Sequence, residues 1–194
     1  MMVGAVLTQN TAWSNVERAI AGLRAAGALD PKHILALPSP ALAETLRPSG
    51  YFRVKAKRLG DLCRWYLERG GMATLRTRDT ETMRADLLAV HGIGRETADD
   101  ILLYALDRPV FVIDAYTRRL FARLGWIEGH EDYEALRARI ERSLGPDVPL
   151  YQEYHALLVH HAKGICRTRP DCDRCCLRGR CLWPAVDRYR VAAC

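Results

Sequence analysis

The sequence predicts an all-α protein. Apolar residues recur at helical spacing in segment after segment. Proline and glycine stand where such segments should begin and end. No convincing strand alternation, internal repeat or low-complexity tract is present.

Taken in order, residues 1–7 read as a buried helix, ended by the polar run Thr8-Gln9-Asn10-Thr11. A second helix is expected over residues 13–26, with Val16, Ile20 and Leu23 on one face. Asp30-Pro31 opens a short helix through Leu37, because proline is preorganised for the first helical position. Ser39 is the expected cap of the next, over residues 40–46, and Pro48-Ser49-Gly50 is a turn. Residues 51–69 form a longer helix whose run RVKAKRL offers Arg53, Lys55, Lys57 and Arg58 either to phosphates or to solvent. Residues 83–90 are helical through Met83, Leu87, Leu88 and Val90, and Gly92-Ile93-Gly94 break them off. Residues 95–106 resume the helix, with Ala98, Ile101, Leu102 and Ala105 at helical spacing. Asp107-Arg108-Pro109 ends it, and the apolar run of residues 110–113 is too short for a helix of its own. Helices over residues 115–124, 133–144 and 150–163 follow, the first stopped by Gly125.

Helix, glycine hairpin, helix is a backbone device for phosphates. Glycines reach positive φ and let another backbone come close. The N–H groups that open the second helix have no intrahelical partner and favour an anion. His91, at the end of the first helix, reads as a histidine near free carbonyls. Asp114 heads the helix after the hairpin, and aspartate is a favoured N-cap. A helix N-terminus also keeps a carboxylate ionised, which suits a group that stabilises developing positive charge.

Composition narrows the partners. The net charge of +6 and the isoelectric point near 9.1 favour a polyanion. Basic residues are mostly arginine, and the lysines are Lys32, Lys55, Lys57 and Lys163. No transmembrane run or signal peptide is read, so a cytoplasmic monomer with no membrane contact is expected. Five of the seven cysteines fall between Cys166 and Cys181, a clustering that suggests metal before disulfides. Cys166, Cys172, Cys175 and Cys181 are spaced x5, x2, x5 and can hold a 4Fe-4S cluster or a zinc ion. Cys176 is extra, and Cys63 and Cys194 read as free thiols. Arg169, Arg174, Arg178 and Arg180 surround the candidate ligands.

The stretch HGIGRETADDILLYALDRPVFVID, from His91 to Asp114, resembles the helix-hairpin-helix DNA glycosylases, the superfamily that includes endonuclease III. The resemblance covers nearly the whole chain and implies a two-lobed glycosylase fold with a C-terminal iron–sulfur cluster loop. Residues 1–108 would form a helical-barrel domain carrying the hairpin, and residues 109–194 a helical domain with the catalytic aspartate and the cluster loop. Gly92, Ile93, Gly94 and Arg95 would anchor DNA, Gln9 in LTQNT would enter the base stack, and Asp114 would be the essential aspartate. The cysteines would ligate a 4Fe-4S cluster, although the family's first spacer is x6. His91 stands where the family usually has proline. Endonuclease III itself carries a catalytic lysine eighteen residues before the aspartate, where this chain has Glu96. A lysine there would attack C1′ and allow strand cleavage, and glutamate does neither. With LTQNTAW and HGIGRETAD around it, Glu96 is similar to the branch that removes alkylated purines such as 3-methyladenine, and it becomes a pocket candidate. The implied partner is double-stranded DNA containing a damaged base. The expectation is a monofunctional glycosylase of base excision repair. The alternatives are a bifunctional endonuclease III-type glycosylase/AP lyase for oxidised pyrimidines, and a non-catalytic DNA-binding protein with a structural metal.

Overall fold

The computed structural model describes residues 1–183, so Cys194 lies outside the described residues. The described residues are helical with no strand among them, and the chain divides into two compact units, Met1–Arg108 and Pro109–Cys194. No described helix is long and apolar enough to cross a membrane.

In the first unit α1 (Met2–Leu7), α2 (Trp13–Ala25), α3 (Pro31–Ala36) and α4 (Ser39–Thr45) precede the long α5 (Phe52–Glu68). Helix α5 packs on α1, α3 and α4 and is the axis of this unit. Leu7, Leu23, Leu46 and Leu59 are wholly buried there. Asp30 caps α3 by accepting from the N–H groups of Lys32 and His33, with Pro31 at the first position. Ser39 is not the cap of α4. Pro38 holds the extended cap position and Ser39 is already helical, ahead of Pro40. A residue before proline is disfavoured in the helical region, so burial of Leu42 and Ala43 overrides local preference here. The short α6 (Gly71–Leu75) was not expected from the sequence; it has one buried apolar residue, Leu75, and too few turns for a periodic signal.

Helix α7 (Thr80–Leu88) begins three residues before the expected start, because Asp79 caps it through Thr82 N–H at 2.8 Å. It packs against α8 (Arg95–Ala105). Met83, Leu87, Ala98, Ile101 and Leu102 fill the seam. Arg84 Nε donates to Asp99 Oδ1 at 2.6 Å and Arg84 NH2 to Asp99 Oδ2 at 3.2 Å, a two-pronged ion pair between the helices with Asp99 0% exposed. Such a pair costs desolvation, but its fork geometry fixes one register. Lys55 belongs neither to a phosphate-facing nor to a solvated row: it is 1% exposed and its Nζ donates to the carbonyls of Leu7 and Ser49.

In the second unit residues 110–113 are buried and non-helical and lead into α9 (Ala115–Leu124), followed by α10 (Tyr133–Leu144) and α11 (Val148–Gly164). Helix α9 lies against α11. Phe111 meets Tyr151 and Tyr154 edge-on, with ring centroids 5.4 and 5.6 Å apart. Asp132 caps α10, and Asp147 caps α11 two residues ahead of the expected start, with Pro149 in its first turn.

Candidate functional site

The hairpin connects α7 to α8 through Gly92 at φ 83° and ends at Gly94, the N-cap of α8. Gly94 has no side chain to cap with, and a Cβ there would meet open space. A Cβ on Gly92 would instead run into the side chain of Arg58. Ile93 is buried and its N–H donates to Val90 O at 3.0 Å, so it closes the hairpin from within. Arg95 and Glu96 are exposed in the first turn of α8. His91 does not face carbonyls: its Nδ1 stands 3.2 Å from Asp61 Oδ2 on α5.

Gln9 is brought to this hairpin. Its Nε2 donates to Gly92 O at 3.1 Å and to Thr97 Oγ1 at 2.9 Å, and its Oε1 accepts from Arg58 at 2.6 Å. The polar break after α1, the hairpin and α5 are thus joined by one amide. On the other side of α5's start, Tyr51 is 72% exposed and sits at φ 45°, ψ 32°, a left-handed conformation that is costly for a bulky residue. Sequence reasoning passed over Tyr51, reading it as the first residue of a helix. An aromatic following Gly50 and the turn at residues 47–49 was the available signal.

Asp114 is the N-cap of α9. Its Oδ1 accepts from Thr117 N–H at 2.6 Å, and the residue is 8% exposed. His155 Nε2 lies 3.7 Å from Oδ2. Burial pushes the Asp114 pKa up, but the His155 imidazole and the Thr117 N–H outweigh it and leave the carboxyl below its ordinary value. The site is therefore a buried anion with one oxygen held by backbone and the other facing an imidazole. His155 was missed in the sequence. It shares the buried stripe of α11 with Tyr151, Leu158 and Ala162, and a histidine inside an apolar stripe was the signal.

The cysteine loop hangs on the C-terminal half of α9. Arg119 Nε donates to Cys166 O and Arg119 NH2 to Ala162 O, both at 2.9 Å. Arg123 NH1 reaches Arg167 O at 2.6 Å and Cys166 Sγ at 3.1 Å, and Arg123 NH2 reaches Thr168 O at 3.0 Å. Cys166, Cys172, Cys175 and Cys181 all line one small cavity with Arg123, Arg178 and Trp183. Among the described residues, no three of these side chains converge on a point where a single ion would sit. Burial and the neighbouring thiols push Cys172 and Cys175 up, opposition that a cation among them would reverse. Cys176 is exposed, and Cys63, in the first unit, is a buried free thiol raised to about 12 by its surroundings. Arg174 pairs with Asp171 and Arg178 with Asp173 at the surface of the loop.

Residues 3–146 match the sequence profile of the HhH-GPD superfamily, base excision DNA repair proteins. The chain belongs to this superfamily. A candidate DNA repair glycosylase of Methanocaldococcus jannaschii is 46% identical over 186 residues, spanning 94% of this chain and 84% of that protein. Endonuclease III of Thermotoga maritima is 27% identical over 182 residues, spanning 93% and 81%. Among solved structures, H. pylori 3-methyladenine DNA glycosylase bound to 1,N6-ethenoadenine superposes with a TM-score of 0.75 at 33% identity, over 84% of this chain and 83% of that one. An endonuclease III–DNA complex gives a TM-score of 0.80 over 97% and 84%, and at 20% identity it speaks for the fold alone. The HhH-GPD protein described here is thus a base excision repair DNA glycosylase by family, with an endonuclease III-like all-α fold.

Proposed function

We propose that this glycosylase is monofunctional, extrudes a damaged base from duplex DNA and hydrolyses its N-glycosidic bond, with alkylated purines as the substrate class. The observation that carries the reading is Asp114: a buried carboxylate kept ionised by a helix N-terminus and His155. As the glycosidic bond breaks, positive charge grows on the sugar, and a fixed anion stabilises it more than it stabilises the neutral substrate. Water then adds to C1′, and the base leaves with the bonding electrons and takes up a proton.

The remaining parts have assigned places. Backbone N–H groups of Gly92, Gly94 and Arg95 take a phosphate at the start of α8, while the Ile93 N–H is held by Val90 O at 3.0 Å and shapes the turn. Gln9 and Tyr51 enter the space left by the extruded nucleotide. For Gln9 this exchanges its hydrogen bonds with Gly92, Thr97 and Arg58 for contacts with bases. The alkylated-purine class is supported by Glu96, which offers no amine for an imine intermediate, and by 33% identity to a 3-methyladenine glycosylase. A second reading, base release with strand cleavage, is supported by the similarity to endonuclease III of T. maritima. Incubation with a panel of lesion-bearing duplexes, scoring base release and strand cleavage separately, decides between them. Release of 3-methyladenine without cleavage, and without trapping by borohydride, is expected. Efficient trapping would overturn the monofunctional reading, and tight binding without release from any lesion would leave a DNA-binding protein.

The cysteine loop belongs to the same proposal. Cys166, Cys172, Cys175 and Cys181 line one cavity, and the likeness of their spacing to the endonuclease III pattern supports a 4Fe-4S cluster there over zinc. The cluster would supply a structural clip for the loop. Protein prepared without air should be yellow-brown with iron and sulfide at about four each per chain; zinc in their place would overturn this assignment.

A further inference from the structure

Lys55 sits where an apolar side chain would be cheaper. It is 1% exposed on the inner face of α5, and Nζ donates to Leu7 O at 2.8 Å and to Ser49 O at 2.7 Å. Leu7 is the last residue of α1, two before Gln9. Ser49 closes the turn two residues before Tyr51. One ammonium therefore ties together the starts of two segments that present the side chains assigned above to the base stack. One turn further along α5, Arg58 donates to Gln9 Oε1 at 2.6 Å and lies beneath Gly92. The arrangement carries a penalty. Burial, with the Arg58 guanidinium nearby, pulls the Lys55 pKa down to about 8. Unfolded, the amine would bind its proton more tightly, so the charged form opposes folding at neutral pH.

We propose that Lys55 is a positioning residue for lesion recognition, whose two hydrogen bonds set the spacing between the Gln9 and Tyr51 segments so that both reach the gap left by an extruded nucleotide. This rests on the glycosylase reading. It differs from a plain structural role, in which the lysine only satisfies two buried carbonyls. A structural role predicts that removing the amine loosens the whole unit. A positioning role predicts a selective loss at the gap, with the hairpin's hold on phosphate unchanged.

The test uses the full chain as Lys55→Met and Lys55→Gln, with affinity measured for an undamaged duplex and for one containing a tetrahydrofuran abasic analogue. Both variants should unfold cooperatively and bind undamaged duplex within about twofold of wild type. Their preference for the abasic duplex should fall at least tenfold. Adding Gln9→Ala and Tyr51→Ala to Lys55→Met should cost little more, because residues acting in one step are not additive. Preference retained in a folded variant, or full additivity, would overturn the proposal. If Lys55→Met does not fold, Lys55→Gln decides on the same two duplexes, and failure of both to fold assigns the lysine a structural role. If wild type itself shows no preference for the abasic duplex, it is the glycosylase reading that fails. A preference in wild type that survives in the variants removes Lys55 alone.

Discussion

Asp114 uses its two oxygens differently, and substitution can separate them. In Asp114→Asn the side-chain oxygen still caps Thr117 N–H, and the charge beside His155 is gone. Base release should drop roughly 100-fold or more, with the unfolding midpoint nearly unchanged in a thermal scan. A large fall in that midpoint would mean that the carboxylate matters mainly for the fold. His155→Leu works in the opposite direction, by leaving burial of the carboxylate less opposed. The pKa of Asp114 is depressed in the folded chain, so its stabilising contribution is complete above the ordinary carboxylate range and is lost only as pH falls below that range. Without the imidazole the loss should begin at higher pH. The acid limb of the pH–rate profile should move up in His155→Leu and stay put in a control such as His130→Leu, an exposed histidine paired with Glu128. The cap made by Asp114 was legible in the sequence because capping is local. His155 was not, because its partner is on another helix and no spacing rule connects them.

At the scale of elements the hairpin gives two contrasting glycines. Gly92 has a positive φ and no room for a Cβ, whereas Gly94 has an extended backbone and open space. Gly92→Ala should destabilise the protein by roughly 1–3 kcal/mol and push Arg58 off Gln9. Gly94→Val should leave stability within about 1 kcal/mol, as for most surface changes, yet weaken duplex binding by standing where a phosphate approaches. Equal effects of the two on chemical denaturation would contradict this division. The Arg84–Asp99 ion pair joins α7 to α8, and Asp99→Ala should cost about 3–5 kcal/mol by removing one half of a buried pair. Glycines, prolines and aspartate caps made most of the elements legible. Where packing decided, the sequence misled: Ser39 was expected to cap α4, but Pro38 holds the cap position with no side-chain hydrogen bond, and α6 carries too little pattern to be seen.

For the whole molecule, affinity for duplex should fall steeply with salt, by about 0.9 log unit per log unit of salt for each phosphate neutralised. An affinity indifferent to salt would remove the hairpin and the basic surface from binding. The all-α class was legible because helical periodicity needs only neighbours in sequence. The burial of Lys55 was not, because a lysine in a basic run looks the same whether its carbonyl partners are distant or absent. The same holds for Arg119 and Arg123, which one would read as surface charge on α9 and which instead hold the backbone of residues 162–168. These bonds bear on how the protein matures. They run from guanidinium to backbone carbonyl, so the backbone of the loop is held by side chains of α9. If the loop holds the proposed 4Fe-4S cluster, protein made without iron should keep this loop in place and accept the cluster afterwards. Colourless protein made in iron-depleted medium should regain its colour with ferrous iron and sulfide, and Arg123→Ala should not.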